Sequence, residues 1–313
     1  MLHLVFLDAD TLGSTSLYGL RPFGKLTLHP ATAPHETAER VRDADVVITN
    51  KVVISRPVLE AAPKLKLICV AATGTNNVDL EAARERGIPV KNAVGYSTAG
   101  VAQHTFAMLF YLLEQLRYFD DYVKGGGYAK SPIFTHYGRE YWLLGGKRWG
   151  IIGLGTIGRE VATIAGAFGA EVVYYSTSGR HDDPSYRRLE LDELLRTSDV
   201  VSIHAPLNDA TRDLIGLPQL RMMKKTAVLI NVGRGGIVSE TDLLTALNEA
   251  SLFAAGLDVL ETEPMPPGHP LLSVKYPDRL LITPHIAWAS IEARDNLVAQ
   301  VVENVRTFVE GGE

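Results

Sequence analysis

Short apolar runs alternate with amphipathic stretches along most of the chain, and that alternation predicts parallel sheets with helices on their faces. Residues 2–7, 45–49, 65–71 and 90–92 read as strands, and residues 38–43, 57–62 and 80–86 as the helices between them. From 98 to 123 the period changes: Val101, Phe106, Leu109, Leu112, Leu113 and Leu116 recur at helical spacing and predict one long helix, ended by Gly125-Gly126-Gly127. Residues 128–146 are rich in aromatics and lack a period. A second alternating series then begins. Its predicted strands are 149–153, 171–175, 200–204, 226–231, 253–258 and 280–283, with helices at 156–168, 191–197 and 240–248.

The pattern predicts an α/β chain of two doubly wound parallel-sheet domains. One spans 98–286. The other spans 1–97 plus 287–313. The first series has too little helix to cover its sheet, so the last predicted helix, 291–310, is expected to return to it. The crossings are expected near 95–100 and 286–290. A chain of 313 residues also exceeds the size at which one core usually stops growing.

Composition excludes several classes. Net charge is −5, with 46% hydrophobic and 21% charged residues, so nothing argues for nucleic acid. The apolar run at the start ends at Asp8 without a basic lead, and the run 106–113 is too short to span a bilayer. One cysteine, Cys69, lies inside an apolar run and reads as a buried small hydrophobe. A cytoplasmic protein without membrane contact is expected, and no His, Cys or carboxylate spacing suggests a metal site.

Gly153-Leu-Gly155-Thr-Ile-Gly158 follows a predicted strand and opens a predicted helix. In that context G-x-G-x-x-G is a dinucleotide loop: a tight turn, a close backbone approach to the pyrophosphate, and close helix packing. Thr156 and Ile157 belong to the same expected site. The next strand ends at Ser176 and Thr177, where an acid for the ribose hydroxyls usually stands, and Arg180 follows. Losing the carboxylate removes repulsion of a 2′-phosphate, so NAD and NADP both fit the sequence.

Arg234, Glu263 and His285 end strands of the second series, in Asn-Val-Gly-Arg-Gly-Gly, Leu-Asp-Val-Leu-Glu-Thr-Glu-Pro and Ile-Thr-Pro-His-Ile-Ala-Trp-Ala-Ser. With these motifs in order, the chain resembles the D-isomer-specific 2-hydroxyacid dehydrogenase family from its first strand to its last helix. The resemblance implies that 98–286 is a Rossmann dinucleotide-binding domain and that 1–97 plus 287–313 is a flavodoxin-like substrate domain. The resemblance implies the catalytic roles. Arg234 would bind the keto acid's carboxylate and ketone oxygen. His285 would donate the proton as hydride arrives, and Glu263 would hold and charge its ring. Formate dehydrogenases resembling this fold carry glutamine in the acid's place, so Glu263 argues against formate.

The same resemblance places the substrate carboxylate at Thr73 and Gly74, with Asn50 or Lys51 reaching from the preceding strand end and Trp288 walling the pocket. It places Thr105 against the pyrophosphate, the turn His204-Ala205-Pro206 over the adenosine side, Val232 along the cofactor and Asp258 on the nicotinamide amide. Residues 95–98, 174–179 and 287–290 look most like glycerate dehydrogenases, also called hydroxypyruvate reductases. Glyoxylate reductase and D-lactate dehydrogenase are the alternatives. Dinucleotide-sensing corepressors, which share the fold, form a separate class. A homodimer is expected, with 118–146 as the arm.

Overall fold

A computed structural model of the chain describes residues 1–179 and 183–311. The chain divides into two units, Met1–Ser97 with Trp288–Glu313, and Thr98–Ala287.

The first unit begins β1 (Leu2–Phe6), β2 (Gly24–Leu28), α1 (Thr37–Val41), β3 (Val46–Thr49), α2 (Arg56–Glu60), β4 (Leu67–Val70), α3 (Leu80–Glu85) and β5 (Val90–Lys91). Its parallel sheet has the order β2-β1-β3-β4-β5. The apolar pattern does not predict β2. It is a half-buried edge strand whose Leu28 is exposed, so it lacks the solid apolar run of the strands inside the sheet. Cys69 is fully buried, and burial pushes its thiol up to about 12.

The second unit contains α4 (Thr98–Leu113), α5 (Leu116–Lys124), β6 (Arg148–Ile152), α6 (Thr156–Ala167), β7 (Glu171–Tyr175), β8 (Arg187–Arg188), α7 (Leu191–Thr197), β9 (Val200–Ile203), α8 (Leu217–Met222), β10 (Val228–Asn231), α9 (Glu240–Asn248), β11 (Ala254–Leu257) and β12 (Leu280–Ile282). The strand order is β12-β11-β10-β9-β6-β7-β8, again parallel. The helices α4 and α6 bury one face of the sheet, around Phe106, Leu109 and Trp149. The other face packs around Leu194, Leu220 and Leu243 of α7, α8 and α9.

The single helix expected over 98–123 is two helices. Gln115 takes the left-handed conformation at φ 51° and separates them. Eight residues of α4 are buried, whereas none of α5 is. Leu116 continues the helical spacing in sequence but is exposed, which is why periodicity alone hides the break. The short elements β8 and α8 also go beyond what the pattern predicts.

The chain returns to the first unit through α10 (Ile291–Val309), capped by the Ser290 hydroxyl, which accepts from the Ala293 amide. Leu297, Val298, Val301 and Val305 of α10 bury the sheet face formed by Leu4, Phe6, Ile48 and Cys69. The opposite face packs on Val41, Leu59 and Ala83 of α1 to α3. Thus the helix that the first series lacks is supplied from the far end of the sequence. No helix among the described residues is long and apolar enough to cross a membrane.

Candidate active site

Strand order in the second unit reverses between β6 and β9, which is where ligands bind in open α/β sheets. The glycine loop stands at the end of β6. Gly153 has φ 93°, a conformation that side chains resist. A Cβ on Gly158 would collide with the Gly153 carbonyl, so only glycine lets α6 start this close to the strand. A Cβ on Gly155 would meet nothing of the chain within 4 Å. Gly155 and Thr156 are exposed, and Gly155 caps α6 without a side chain. An open backbone at the positive end of a long helix fits a pyrophosphate. Ile157 instead packs on the core.

Other expected cofactor residues fall into two groups. Ser176, Ala205 and Val232 are buried at strand ends beside the loop, with Thr177 half-buried and Pro206 exposed. Arg180 lies outside the described residues. Three of the expected contacts are also engaged within the chain. Thr105 is fully buried, and its hydroxyl donates to the Val101 carbonyl at 2.8 Å. The His204 ring is half-buried and faces Ser202 Oγ at 2.9 Å, and burial pushes it down to about 3, so the ring is neutral.

Asp258 is the third. Its carboxylate is almost wholly buried and accepts from the chain itself: Thr283 Oγ1 at 2.6 Å and Ile286 N at 2.9 Å on one oxygen, Ala287 N at 2.9 Å on the other. Burial works against its charge. Bonds from His104, Thr283 and the two amides outweigh burial and hold the carboxyl below its ordinary value. Asp258 therefore anchors the turn after β12, and its Oδ2, with one amide bonded, keeps a lone pair that a ligand amide can meet.

That turn carries His285. The His285 amide is bonded to the Asp258 carbonyl at 2.8 Å, and the residue stands at φ 54°. For a non-glycine residue this is an uncommon conformation, held here by amides bonded on both sides. The ring Nδ1 lies 2.7 Å from Glu263 Oε2. Glu263 Oε1 accepts from the Leu260 amide at 2.9 Å, so the carboxylate is fixed before it meets the ring. A carboxylate partner makes Nδ1 the donor. Among the described residues Nε2 has no hydrogen-bond partner, so one edge of the ring is braced and the other is available.

Arg234 follows β10 in a turn tied by Asn231, whose side chain bonds the Arg234 carbonyl at 2.9 Å and the Gly233 amide at 3.1 Å. Arg234 Nη1 donates to the Gly233 carbonyl at 2.8 Å, and no carboxylate among the described residues pairs with it. A Cβ on Gly235 would collide with the Leu260 backbone, so the arginine turn and the segment leading to Glu263 are in direct contact. Asn231 escapes the sequence reading, although an asparagine ending an apolar strand before Gly-Arg-Gly-Gly is a turn signal.

In the first unit, Asp8 organises the end of β3. Its carboxylate accepts from the amides of Asn50, Lys51 and Val52 at 2.8, 2.6 and 3.3 Å. Burial raises the Asp8 carboxyl above its ordinary value despite those bonds. Asn50 is buried, Lys51 exposed. Thr73 is exposed, its carbonyl bonded to the Asn92 side chain at 2.7 Å, and Gly74 is half-buried. The Trp288 ring sits edge-on to Tyr96, 6.4 Å between centroids, against the first unit's own core. Among the described residues no group of three His, Cys, Asp or Glu could hold a metal ion.

The family description "D-isomer specific 2-hydroxyacid dehydrogenase, NAD binding domain" matches residues 106–287. A glycerate dehydrogenase of Methylorubrum extorquens is 37% identical, covering 98% of this chain and 96% of its own. A hydroxypyruvate reductase of Blautia hydrogenotrophica is 36% identical over 99% of this chain and 98% of its own. A solved D-lactate dehydrogenase of Aquifex aeolicus, complexed with NAD and lactic acid, superposes with a TM-score of 0.85 at 27% identity, covering 98% of this chain and 96% of that one. Glycine loop, braced histidine and turn-held arginine thus occur in a chain that belongs to the D-isomer specific 2-hydroxyacid dehydrogenase family, NAD(P)-dependent enzymes that move a hydride between a nicotinamide dinucleotide and a 2-hydroxy or 2-keto acid.

Proposed function

We propose that the enzyme reduces hydroxypyruvate to D-glycerate, with His285 as proton donor, Glu263 as its brace and Arg234 as the substrate's cationic partner. The observation that carries the residue roles is the His285–Glu263 contact of 2.7 Å with Nε2 left available. Relatives named glycerate dehydrogenase and hydroxypyruvate reductase, each matched over nearly the full length of both chains, support the substrate.

The dinucleotide supplies or accepts the hydride. The chain's residues do the rest. Among the described residues Arg234 pairs with no carboxylate, which suits its fork to hold a keto acid's carboxylate and polarise its ketone oxygen. As negative charge grows on that oxygen, His285 delivers a proton from Nε2, and Glu263 stabilises the ring while it is charged. In the reverse direction His285 takes the alcohol proton. The amides of Thr73 and Gly74, with Asn50 and Lys51, are proposed to take the substrate carboxylate, and Trp288 to limit substrate size. Ser176 in the acid's place makes NADPH acceptable beside NADH.

The proposal includes a cytoplasmic homodimer joined through residues 118–146. Phe134, Tyr137 and Leu143 in that stretch are 89%, 80% and 79% exposed, an unusual extent of apolar surface for a lone subunit.

Assays of hydroxypyruvate, glyoxylate, pyruvate and 3-phosphohydroxypyruvate with NADH and NADPH test the substrate. Hydroxypyruvate is expected to give the highest kcat/KM. A clear preference for glyoxylate or pyruvate would replace it.

A further inference from the structure

A network of polar side chains runs from α4 to the turn that carries His285. His104, on α4, is partly buried, and its Nε2 lies 3.1 Å from Thr283 Oγ1 and 3.5 Å from Asp258 Oδ1. The direction of these bonds follows from counting protons. The Thr283 hydroxyl has one, and its 2.6 Å contact with the ionised Asp258 carboxylate requires it to donate there. Toward His104 the hydroxyl can then only accept, so His104 Nε2 carries a hydrogen and donates. The chain of donation runs from His104 to Thr283 to Asp258.

Asp258 is where the catalytic turn is fastened. Its carbonyl accepts from the His285 amide, and its carboxylate accepts from the Ile286 and Ala287 amides. These three successive amides hold His285 at φ 54°. A buried carboxylate does this only while each lone pair is well met, since an underpaired buried charge is strongly destabilising. Thr283 completes the set, and its hydroxyl oxygen in turn accepts from His104.

We propose that His104 is a positioning residue for the proton donor: from α4, through Thr283 and Asp258, it holds the turn that presents His285 to the substrate. This rests on the reading of His285 as the acid. Nothing in helical spacing marks His104, because its partner is 179 residues away.

The test compares His104→Leu, which keeps bulk and removes the donor, with His104→Gln, which keeps an N–H donor at similar reach. Steady-state kinetics at saturating dinucleotide are read beside amide hydrogen exchange of the segment 283–290. In His104→Leu, kcat for hydroxypyruvate is expected to fall about 10- to 100-fold, the scale of a displaced reacting group. KM should stay within roughly threefold, because substrate-holding groups are untouched. His104→Gln should recover most of the loss, and exchange of 283–290 should quicken in the leucine variant alone. Unchanged kcat in His104→Leu, or equal impairment in both variants, would overturn the proposal. His285→Ala is assayed in parallel. If it keeps its turnover, the acid assignment has failed, and the exchange data alone decide whether His104 holds the turn: faster exchange only in His104→Leu supports it, equal exchange in all proteins overturns it.

Discussion

Glu263 meets His285 Nδ1 at 2.7 Å with one carboxylate oxygen while its other oxygen accepts from the Leu260 amide. The acid is thereby fixed at both oxygens, and the imidazole it braces has one nitrogen left for chemistry. In Glu263→Gln the brace keeps its shape but loses its charge. Removing the carboxylate takes away the charge that stabilises the imidazole as it handles the proton, so kcat for hydroxypyruvate reduction should fall about tenfold or more while KM stays within roughly threefold. An unchanged kcat would remove Glu263 from the mechanism.

Asp258 should carry a measurable share of acid stability. Its folded carboxyl lies below the ordinary value, so the sign is that of a depressed acid. The stabilisation is fully present above the unfolded value near 3.8 and is lost as pH falls through the lower folded value. In Asp258→Asn that dependence disappears, and the variant loses about 1.5–3 kcal/mol at neutral pH, the scale of hydrogen bonds to a charged group. Denaturant unfolding of both proteins between pH 7 and the acid range reads this directly; parallel curves would contradict it.

The glycine loop makes a steric prediction. A Cβ at position 158 meets the Gly153 carbonyl, which is backbone and cannot rotate away. Gly158→Ala should therefore weaken dinucleotide binding and cost about 1–3 kcal/mol of stability, as overpacking does. At Gly155, where a Cβ meets nothing of the chain, alanine should leave stability unchanged and weaken dinucleotide binding alone. Calorimetric titration with thermal unfolding separates the two, and matching effects at both positions would refute the distinction.

Ser176 is buried at the end of β7. Replacing it with aspartate restores a carboxylate where a 2′-phosphate would lie, so kcat/KM for NADPH should drop about tenfold or more relative to NADH, equivalent to ~1.4 kcal/mol. An unchanged ratio would mean that another residue sets cofactor choice.

Sequence legibility follows how local each signal is. Alternating apolar runs expose the two sheets, and the glycine loop exposes the dinucleotide site, because both are contiguous. Arg234, Glu263 and His285 are legible through their flanking motifs. Sequence reading does not reveal partners distant in the chain: nothing near Asp258 shows that its carboxylate accepts from Thr283 and from the amides of Ile286 and Ala287. His104 and Asn231 escape notice because their roles exist only once α4, β10 and the turn after β12 are folded together. The break at Gln115 is hidden because apolar spacing continues across it while burial does not.

If His285 transfers the proton while the dinucleotide binds elsewhere in the second unit, the two functions must separate in one variant. The direct measurement is kcat for hydroxypyruvate reduction by His285→Ala, with dinucleotide affinity measured on the same preparation. The expected result is a loss of about 100- to 10,000-fold in kcat, the range of a general acid, with dinucleotide affinity preserved. Turnover within a few-fold of the unaltered enzyme, or a loss explained by failure to bind dinucleotide, would contradict it.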